Sequence, residues 1–452
     1  MRERAVSFPS DAVERATIHK VSQRVLPLLF VLYIAAFLDR TNLGLASLQM
    51  NRDVGLSAAA YGFGAGVFFI GYGLFEVPSN VILARIGAQR WIARIAITWG
   101  VIACAMMFVR GTTSFYILRF LLGAAEAGCF PGIVYYLTQW FPERQRASAM
   151  SRFMISIPLS GTIGGPLGGA LLSLNGHLGL AGWQWLFLVE GLPSVGLGVA
   201  VLFLLPNRPA DAAWLAPAER AWLTETLEAE RARRAGVSEA RVGKALMSGI
   251  VWWLAVLYLL VIAAELGPVF FGPALVADAL RIGSMGVGLV MGAIGLAGVA
   301  SMLLNGAHSD RSGERIAHSI IPLVLMAAGF AVTALSPQGP MVVLGLALVS
   351  FGVNAFLPVF WCLPSAMLSG AAAAGGIALI NSIGNLGGFF APNILGFGKV
   401  SSGSYTNGLL TLGGLALVAA VMIVFVRGAP AFAAGMSKEH SLGEAVEASE
   451  SA

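Results

Sequence analysis

In the stretch "FLDRTNLGLA", residues 37–46, a full negative and a full positive charge, Asp39 and Arg40, stand side by side in an otherwise apolar run. A second set, Arg119 and Glu126, stands seven apart in "RFLLGAAEAG", residues 119–128. That spacing puts both on one helix face, about 10 Å apart along the axis, with Gly123 between them leaving room for a ligand or a neighbouring helix. Adjacent side chains diverge by about 100°, so Asp39 and Arg40 cannot serve one point equally. Arg40 continues the stripe of Tyr33 and Phe37, and Asp39 leans towards a neighbouring helix. A guanidinium stays protonated and offers a planar fork that matches a carboxylate. A carboxyl can change its charge: desolvation favours the neutral form and a nearby arginine the charged one. Two fixed cations beside two switchable acids point to an anion carried together with protons.

The elements that position these residues are membrane spans. The chain has 452 residues, 57% of them hydrophobic and 11% charged, with a mean hydropathy of +0.79; ordinary soluble domains carry about 25% charged residues. Apolar runs of about 20 residues place six spans at 25–47, 60–83, 91–109, 114–138, 151–174 and 183–205. Six more fall at 249–272, 285–306, 317–335, 341–363, 375–398 and 408–427. The expected fold class is all-α and membrane-embedded, with twelve helices in two pseudo-symmetric six-helix bundles. The units are an N-terminal tail 1–24, a bundle 25–205, a linker 206–248, a second bundle 249–427 and a C-terminal tail 428–452. The polar first residues hold no cleavable signal pattern, so span one directs insertion. With both termini inside, the outer loops hold only Arg52, Arg110, Arg281 and Lys399, and all other basic residues outside the spans fall inside. The excess of Lys and Arg on inner loops predicts cytoplasmic termini in a cell, or inner, membrane. Arg94, Arg152 and Arg427 stand at the inner ends of their spans, and Arg40 and Arg119 are the two basic residues left deeper within spans.

An internal repeat supports the division. "ARIGAQR" (84–90) lies between spans two and three, and "DRSGERIAH" (310–318) between spans eight and nine. Arg85, Gly87 and Arg90 in the first loop answer Asp310, Arg311, Gly313 and Arg315 in the second. Glycine supplies the turn and arginine the inner-side anchor. In the linker, Pro217 suits the first turn of a helix, and Trp214, Leu215, Trp222, Leu223 and Leu227 among Glu and Arg read as a short amphipathic helix, taken as a tether.

Ionised residues cost about 2.5–3.5 kcal/mol at a helix centre, so each buried one needs a watery cavity or a partner. Glu76, Glu190 and Glu265 join the four charges above. Tyr72 and Glu76 share a face at i, i+4, as do Asn381 and Asn385, while Phe360 and Trp361 lie on span ten. Singly, an asparagine or tyrosine in a span reads as an interhelical hydrogen bond; together they make a midplane site between two related halves. Pro78, Pro131, Pro166, Pro268, Pro273, Pro358, Pro364 and Pro392 are candidate kinks. Cys104, Cys129 and Cys362 fall in apolar segments and read as small core residues. The histidines, His19, His177, His308, His318 and His440, show no ligand spacing. No metal, cofactor or catalytic pair is expected, so the chain is not read as an enzyme. The net charge of +5 sits between apolar segments and not on one soluble face, which argues against nucleic acid.

The chain resembles the anion:cation symporter family of the major facilitator superfamily, which includes permeases for tartrate, sugar acids and phthalate. The stretches that carry the resemblance are "FLDRTNLG", "FFIGYGLFEVPSN", "RFLLGAAEAGCFPG", "WFPERQRASAMSRF", "LPNRPADAAWLAPAERAWL" and "INSIGNLGGFFAPNILG". The resemblance implies that Asp39 and Glu126 carry protons, that Arg40 and Arg119 handle the anion, and that Tyr72, Trp361 and Asn385 line the cavity. Asn381 and Glu265 join the candidate lining from their own positions. Two departures stand out. Ala84 replaces the acid usual before the first loop's arginine, and span seven reads "AAELGPVFFGP" with an extra Glu265 and Phe271 where Trp is common. The expectation is a proton-coupled importer of a small organic anion, functional as a monomer in the lipid bilayer. The alternative is a proton-driven drug or metabolite exporter, because "GTIGGPLGGA" (161–170) is similar to span-five patterns of such exporters.

Overall fold

The computed structural model describes residues 11–235, 248–367 and 370–427. The tail 428–452, residues 1–10, linker residues 236–247 and residues 368–369 lie outside the described residues. The first half contains α1 (Asp11–Val54), α2 (Ala58–Ile86), α3 (Ala88–Ala105), α4 (Thr112–Glu126), α5 (Cys129–Thr138), α6 (Glu143–Met154), α7 (Ser156–Leu172) and α8 (Gly182–Leu204). The linker helix is α9 (Pro217–Ala235). The second half contains α10 (Gly249–Leu280), α11 (Ser284–Ser312), α12 (Ala317–Leu335), α13 (Met341–Met367), α14 (Gly370–Asn385), α15 (Gly387–Ser402) and α16 (Thr406–Arg427). Among the described residues there is no strand, and 11 helical stretches are long and apolar enough to cross a membrane.

The twelfth crossing is span eleven, built from α14 and α15, each of 16 residues and too short alone. Leu386 between them keeps helical dihedrals, φ −63° and ψ −21°. Leu386 N–H donates to the Ile383 carbonyl and Phe389 N–H to the Leu386 carbonyl, at 3.1 and 3.0 Å. These i to i+3 bonds tighten the helix locally without turning the chain, so α14 and α15 form one passage.

Span four is different: it breaks immediately after Glu126. Pro131 lacks an N–H, and its ring collides with the carbonyl four residues earlier in a regular helix. That carbonyl belongs to Ala127, which leaves the helix at φ −53°, ψ 130°. The freed carbonyl accepts from Ser79 Oγ at 2.7 Å, and Ser79 in turn accepts from Trp91 Nε1 at 3.0 Å. The break thus places a buried acid at a helix end and ties α2, α3 and the α4–α5 junction together.

The two halves meet at the end of the molecule away from the termini. The Tyr61 hydroxyl lies 3.1 Å from the Leu43 carbonyl and 3.0 Å from the Phe270 carbonyl, bridging α1, α2 and α10. Nearby, α7 crosses α11 at Gly165 and Gly288, where a Cβ on either would collide with the other's carbonyl. Backbones this close need glycine.

The linker helix is docked, which corrects its reading as a tether. Leu215, Leu223 and Leu227 are buried, and Trp214 stacks on Trp140 with centroids 5.7 Å apart. Lys20 Nζ contacts Glu219 Oε1 at 2.6 Å, and Arg146 contacts Glu230 Oε2 at 3.2 Å. The partner surface on α1 exists because that helix begins at Asp11, well before the apolar run, with Thr17 and Val21 buried one turn apart.

Candidate functional site

Four charged side chains from two helices converge in the first half. Arg40 on α1 binds Glu126 at the end of α4: Nε donates to Oε1 at 2.7 Å, and Nη2 reaches the same oxygen at 2.5 Å. Asp39 is 4% exposed and lies within electrostatic reach of Glu126, Arg119 and Arg40. Arg119 is 1% exposed; among the described residues its one hydrogen bond is a long 3.4 Å contact from Nη2 to the Ala65 carbonyl. The shared face of α4 therefore does not pair Arg119 with Glu126. The ion pair runs between helices, from α1 to α4.

Aromatic rings hold both guanidiniums. The Arg40 group lies 5.3 Å from the Phe37 centroid, 5.5 Å from Phe68 and 5.1 Å from Tyr72. The Arg119 group lies 4.7 Å from Phe68, so that ring serves both. Cation–π attraction is strengthened by desolvation. It confirms the placing of Arg40 on the Tyr33 and Phe37 side of α1, whose rings are themselves 5.2 Å apart.

Several polar atoms here have no partner among the described residues. Asp39 Oδ2, Glu126 Oε2 and Arg119 Nε are buried and unbonded, as are both carboxyl oxygens of Glu190 on α8. Native proteins satisfy nearly all such atoms, so this cluster of exceptions marks a place for a ligand, a proton or water. Glu190 lies within reach of Asp39 and extends the cluster to a third helix.

The second half supplies a different surface. Tyr258 on α10 stacks on Phe360 with centroids 5.1 Å apart and planes 5° apart, and Trp361 meets both edge-on at 5.0 and 5.3 Å. Glu265, half-buried on α10, lies within reach of Tyr258 and has no hydrogen bond among the described residues. Asn381 and Asn385 are half-buried on α14. Between them Ser382 donates from Oγ to Glu76 Oε2 across the halves, at 3.2 Å. Neither Ser79 nor Ser382 stands out in the sequence, where serines in spans are common; the only signal was Pro131 for the first.

The repeated loops diverge. Gly87 and Gly313 adopt positive φ, 100° and 65°, as a tight turn requires. In the first loop, where Ala84 replaces an acid, Gln89 and Asn207 hold the turn: Gln89 N–H donates to Asn207 Oδ1 at 3.0 Å, and Asn207 Nδ2 to Gln89 Oε1 at 3.2 Å. Arg85 and Arg90 are exposed and make no ion pair among the described residues. In the second loop, Asp310 pairs with Arg315 at 2.7 Å, while Arg311 is exposed. This loop also brings His308 Nδ1 to 2.5 Å from His318 Nε2, a pairing that a ten-residue separation hid. Among the described residues no group of three metal-ligating side chains occurs.

The sequence matches the Major Facilitator Superfamily over residues 29–392. The chain belongs to that superfamily of membrane transporters. This transporter is 46% identical to a putative tartrate transporter of Agrobacterium vitis over 93% of its length and 94% of that protein's. It is 40% identical, over 88% of its length and 92% of the relative's, to a quinolone resistance transporter of Acinetobacter baumannii. Its fold is similar to a solved bacterial homolog of the human lysosomal transporter Spinster, with a TM-score of 0.71 at 16% identity, covering 89% of this chain and 96% of that one. A D-xylose-proton symporter structure gives 0.67 at 17% identity, covering 90% and 96%. The transporter is a multi-pass membrane protein and not an enzyme.

Proposed function

We propose that this transporter moves a small organic anion together with protons by alternating access. The observation that carries the reading is the quartet of two arginines and two acids, all buried but the half-buried Arg40, with atoms on Asp39, Glu126 and Arg119 unbonded among the described residues. Two guanidiniums and two carboxylates balance. Adding a carboxylate substrate leaves an uncompensated buried negative charge, which is costly. Uptake of one proton by Asp39 or Glu126 restores the balance. Substrate and proton are therefore favoured together and disfavoured singly, which is symport in thermodynamic terms.

In this cycle Arg40 and Arg119 receive the carboxylate, and Asp39 and Glu126 handle protons. Tyr72, Trp361, Asn381, Asn385 and Glu265 line the path. The named activity of the Agrobacterium vitis relative supports a hydroxy-acid type of cargo. The basic residues place both termini in the cytoplasm of a cell (inner) membrane, and one chain contains the whole path, so a monomer suffices. The units 25–205 and 249–427 move against each other, and the contacts through Tyr61 and the α7–α11 crossing close one side.

The test is uptake in proteoliposomes. An inward proton gradient is expected to drive accumulation of an organic acid, and a protonophore to abolish it. A second reading, proton-driven export, has the named activity of the Acinetobacter baumannii relative in its favour. It requires substrate movement opposite to the proton gradient in the same vesicles, and such movement would displace the first reading.

A further inference from the structure

Glu76 is an acid that the charge quartet does not use. It is 5% exposed, lies four residues beyond Tyr72 on α2 and so about 6 Å further along that helix, and forms no ion pair with any described residue. Its Oε2 accepts from Ser382 Oγ of the second half at 3.2 Å, and Oε1 accepts nothing among the described residues. Tyr72, on the same face, packs its ring 5.1 Å from the Arg40 guanidinium. One turn of helix thus carries, in order, the wall of the anion-receiving arginine and a carboxyl whose capacity is mostly unfilled. An ionised carboxyl offers about four acceptor sites, and here one is taken.

We propose that Glu76 is a specificity-determining residue: it receives hydroxyl groups at the far end of a monocarboxylate held by Arg40, and it excludes a second carboxylate. The proposal rests on the organic-anion reading above and narrows it to a polyhydroxylated monocarboxylate over a dicarboxylate. The chemistry is asymmetric. A ligand hydroxyl replaces the Ser382 hydroxyl one for one, donor for donor. A second carboxylate brings no donor and places like charges together, the usual means of rejecting a close analogue. Ser382 sits between the half-buried amides of Asn381 and Asn385, which can accept or donate to further hydroxyls but offer no fixed positive charge to a second carboxylate. Because Ser382 belongs to the other half, a ligand that takes its place also replaces a bond between the halves, so recognition and the rocking motion share one atom.

The experiment uses the full chain in proteoliposomes and in detergent. D-gluconate and tartrate are compared, first by thermal shift and then as competitors in uptake. Wild type is expected to respond to gluconate at about tenfold lower concentration than to tartrate. Glu76→Gln, which keeps the shape, is expected to lower the gluconate response and raise the tartrate response, reversing or levelling the order. Glu76→Asp, which keeps the charge, is expected to retain the order with weaker binding. Wild type that prefers tartrate overturns the proposal without any variant, and so does an unchanged order in Glu76→Gln. No response to any organic acid overturns the anion reading itself and this proposal with it, whereas a preference for tartrate over gluconate overturns only the latter.

Discussion

Span four and span ten occupy equivalent places in the two halves, yet they are built differently. Span four carries Arg119 and Glu126 and breaks at Ala127, where Pro131 frees a carbonyl for Ser79. Span ten, α13, carries Phe360 and Trp361 and runs unbroken through Pro358 and Pro364 to Met367. The same division extends outwards. The first half buries Asp39, Glu76, Arg119, Glu126 and Glu190, whereas the second offers an aromatic wall, two amides and Glu265, unpaired among the described residues. One copy of the architecture concentrates charge, and the other concentrates aromatic and amide groups.

That division can be broken most severely at the arginines. Arg40→Ala and Arg119→Ala are each expected to reduce uptake to background while membrane insertion persists. For Arg40, removing one partner of a desolvated charge pair costs about 2–5 kcal/mol, or roughly a thirtyfold to several-thousandfold loss. Arg40→Lys is expected to rescue poorly, since an ammonium lacks the fork that spans Nε and Nη2. Expression-normalised uptake of labelled substrate decides this; activity near wild type in either alanine variant ends the anion-clamp assignment.

Glu126→Gln separates coupling from carriage. The variant imitates the protonated acid and is expected to keep substrate exchange at symmetric pH while losing accumulation driven by a pH step. Retained accumulation would take Glu126 out of the proton path.

Ser79→Ala tests the break itself. It leaves the Ala127 carbonyl buried without its donor, which costs about 1–3 kcal/mol, and a lowered thermal midpoint of the purified protein is the readout. A matching substitution at Cys362, whose Sγ reaches the carbonyl four residues back in an unbroken helix, is expected to move the midpoint far less. Equal shifts would erase the contrast between the two spans.

In the other half, Glu265→Gln is expected to change the ranking of competing acids by about threefold, one hydrogen bond's worth, with pH-driven accumulation intact. Loss of accumulation with binding preserved would place Glu265 in the proton path and blur the division.

The smallest effect belongs to the docked linker. The Lys20 hydrogen bond holds the Glu219 carboxyl below its ordinary value of 4.5. A carboxyl lowered in the folded state stabilises that state above its unfolded value, and the contribution fades as pH falls through the lowered one. Trp214 fluorescence is therefore expected to report α9 loosening only in acid, and Glu219→Gln to remove that pH dependence.

Much of this organisation is legible in the sequence. Runs of about 20 apolar residues mark the crossings because lipid leaves backbone groups no partner but their own helix, and charges inside such runs stand out because they are expensive. Three features were hidden for physical reasons. Glu126 shares a face with Arg119 but pairs with Arg40, because a guanidinium reaches across a helix interface and no spacing along one helix reports that distance. The docking of α9 was hidden because its apolar side fits the polar extension of α1 and not a run of lipid-facing residues. The Ser382–Glu76 bond joins positions 306 apart in sequence, and nothing local to either announces it.

The end of α4 at Glu126 has one more consequence. The last turn of a helix exposes unpaired carbonyls whose aligned dipoles amount to about half a negative charge. Arg40 therefore binds a carboxyl that stands at a helix pole: a proton can neutralise the carboxyl, and it cannot neutralise the pole. In the proposed cycle, protonation of Glu126 weakens the grip without abolishing it. The guanidinium stays at its post with its fork released, facing whichever carboxylate arrives next.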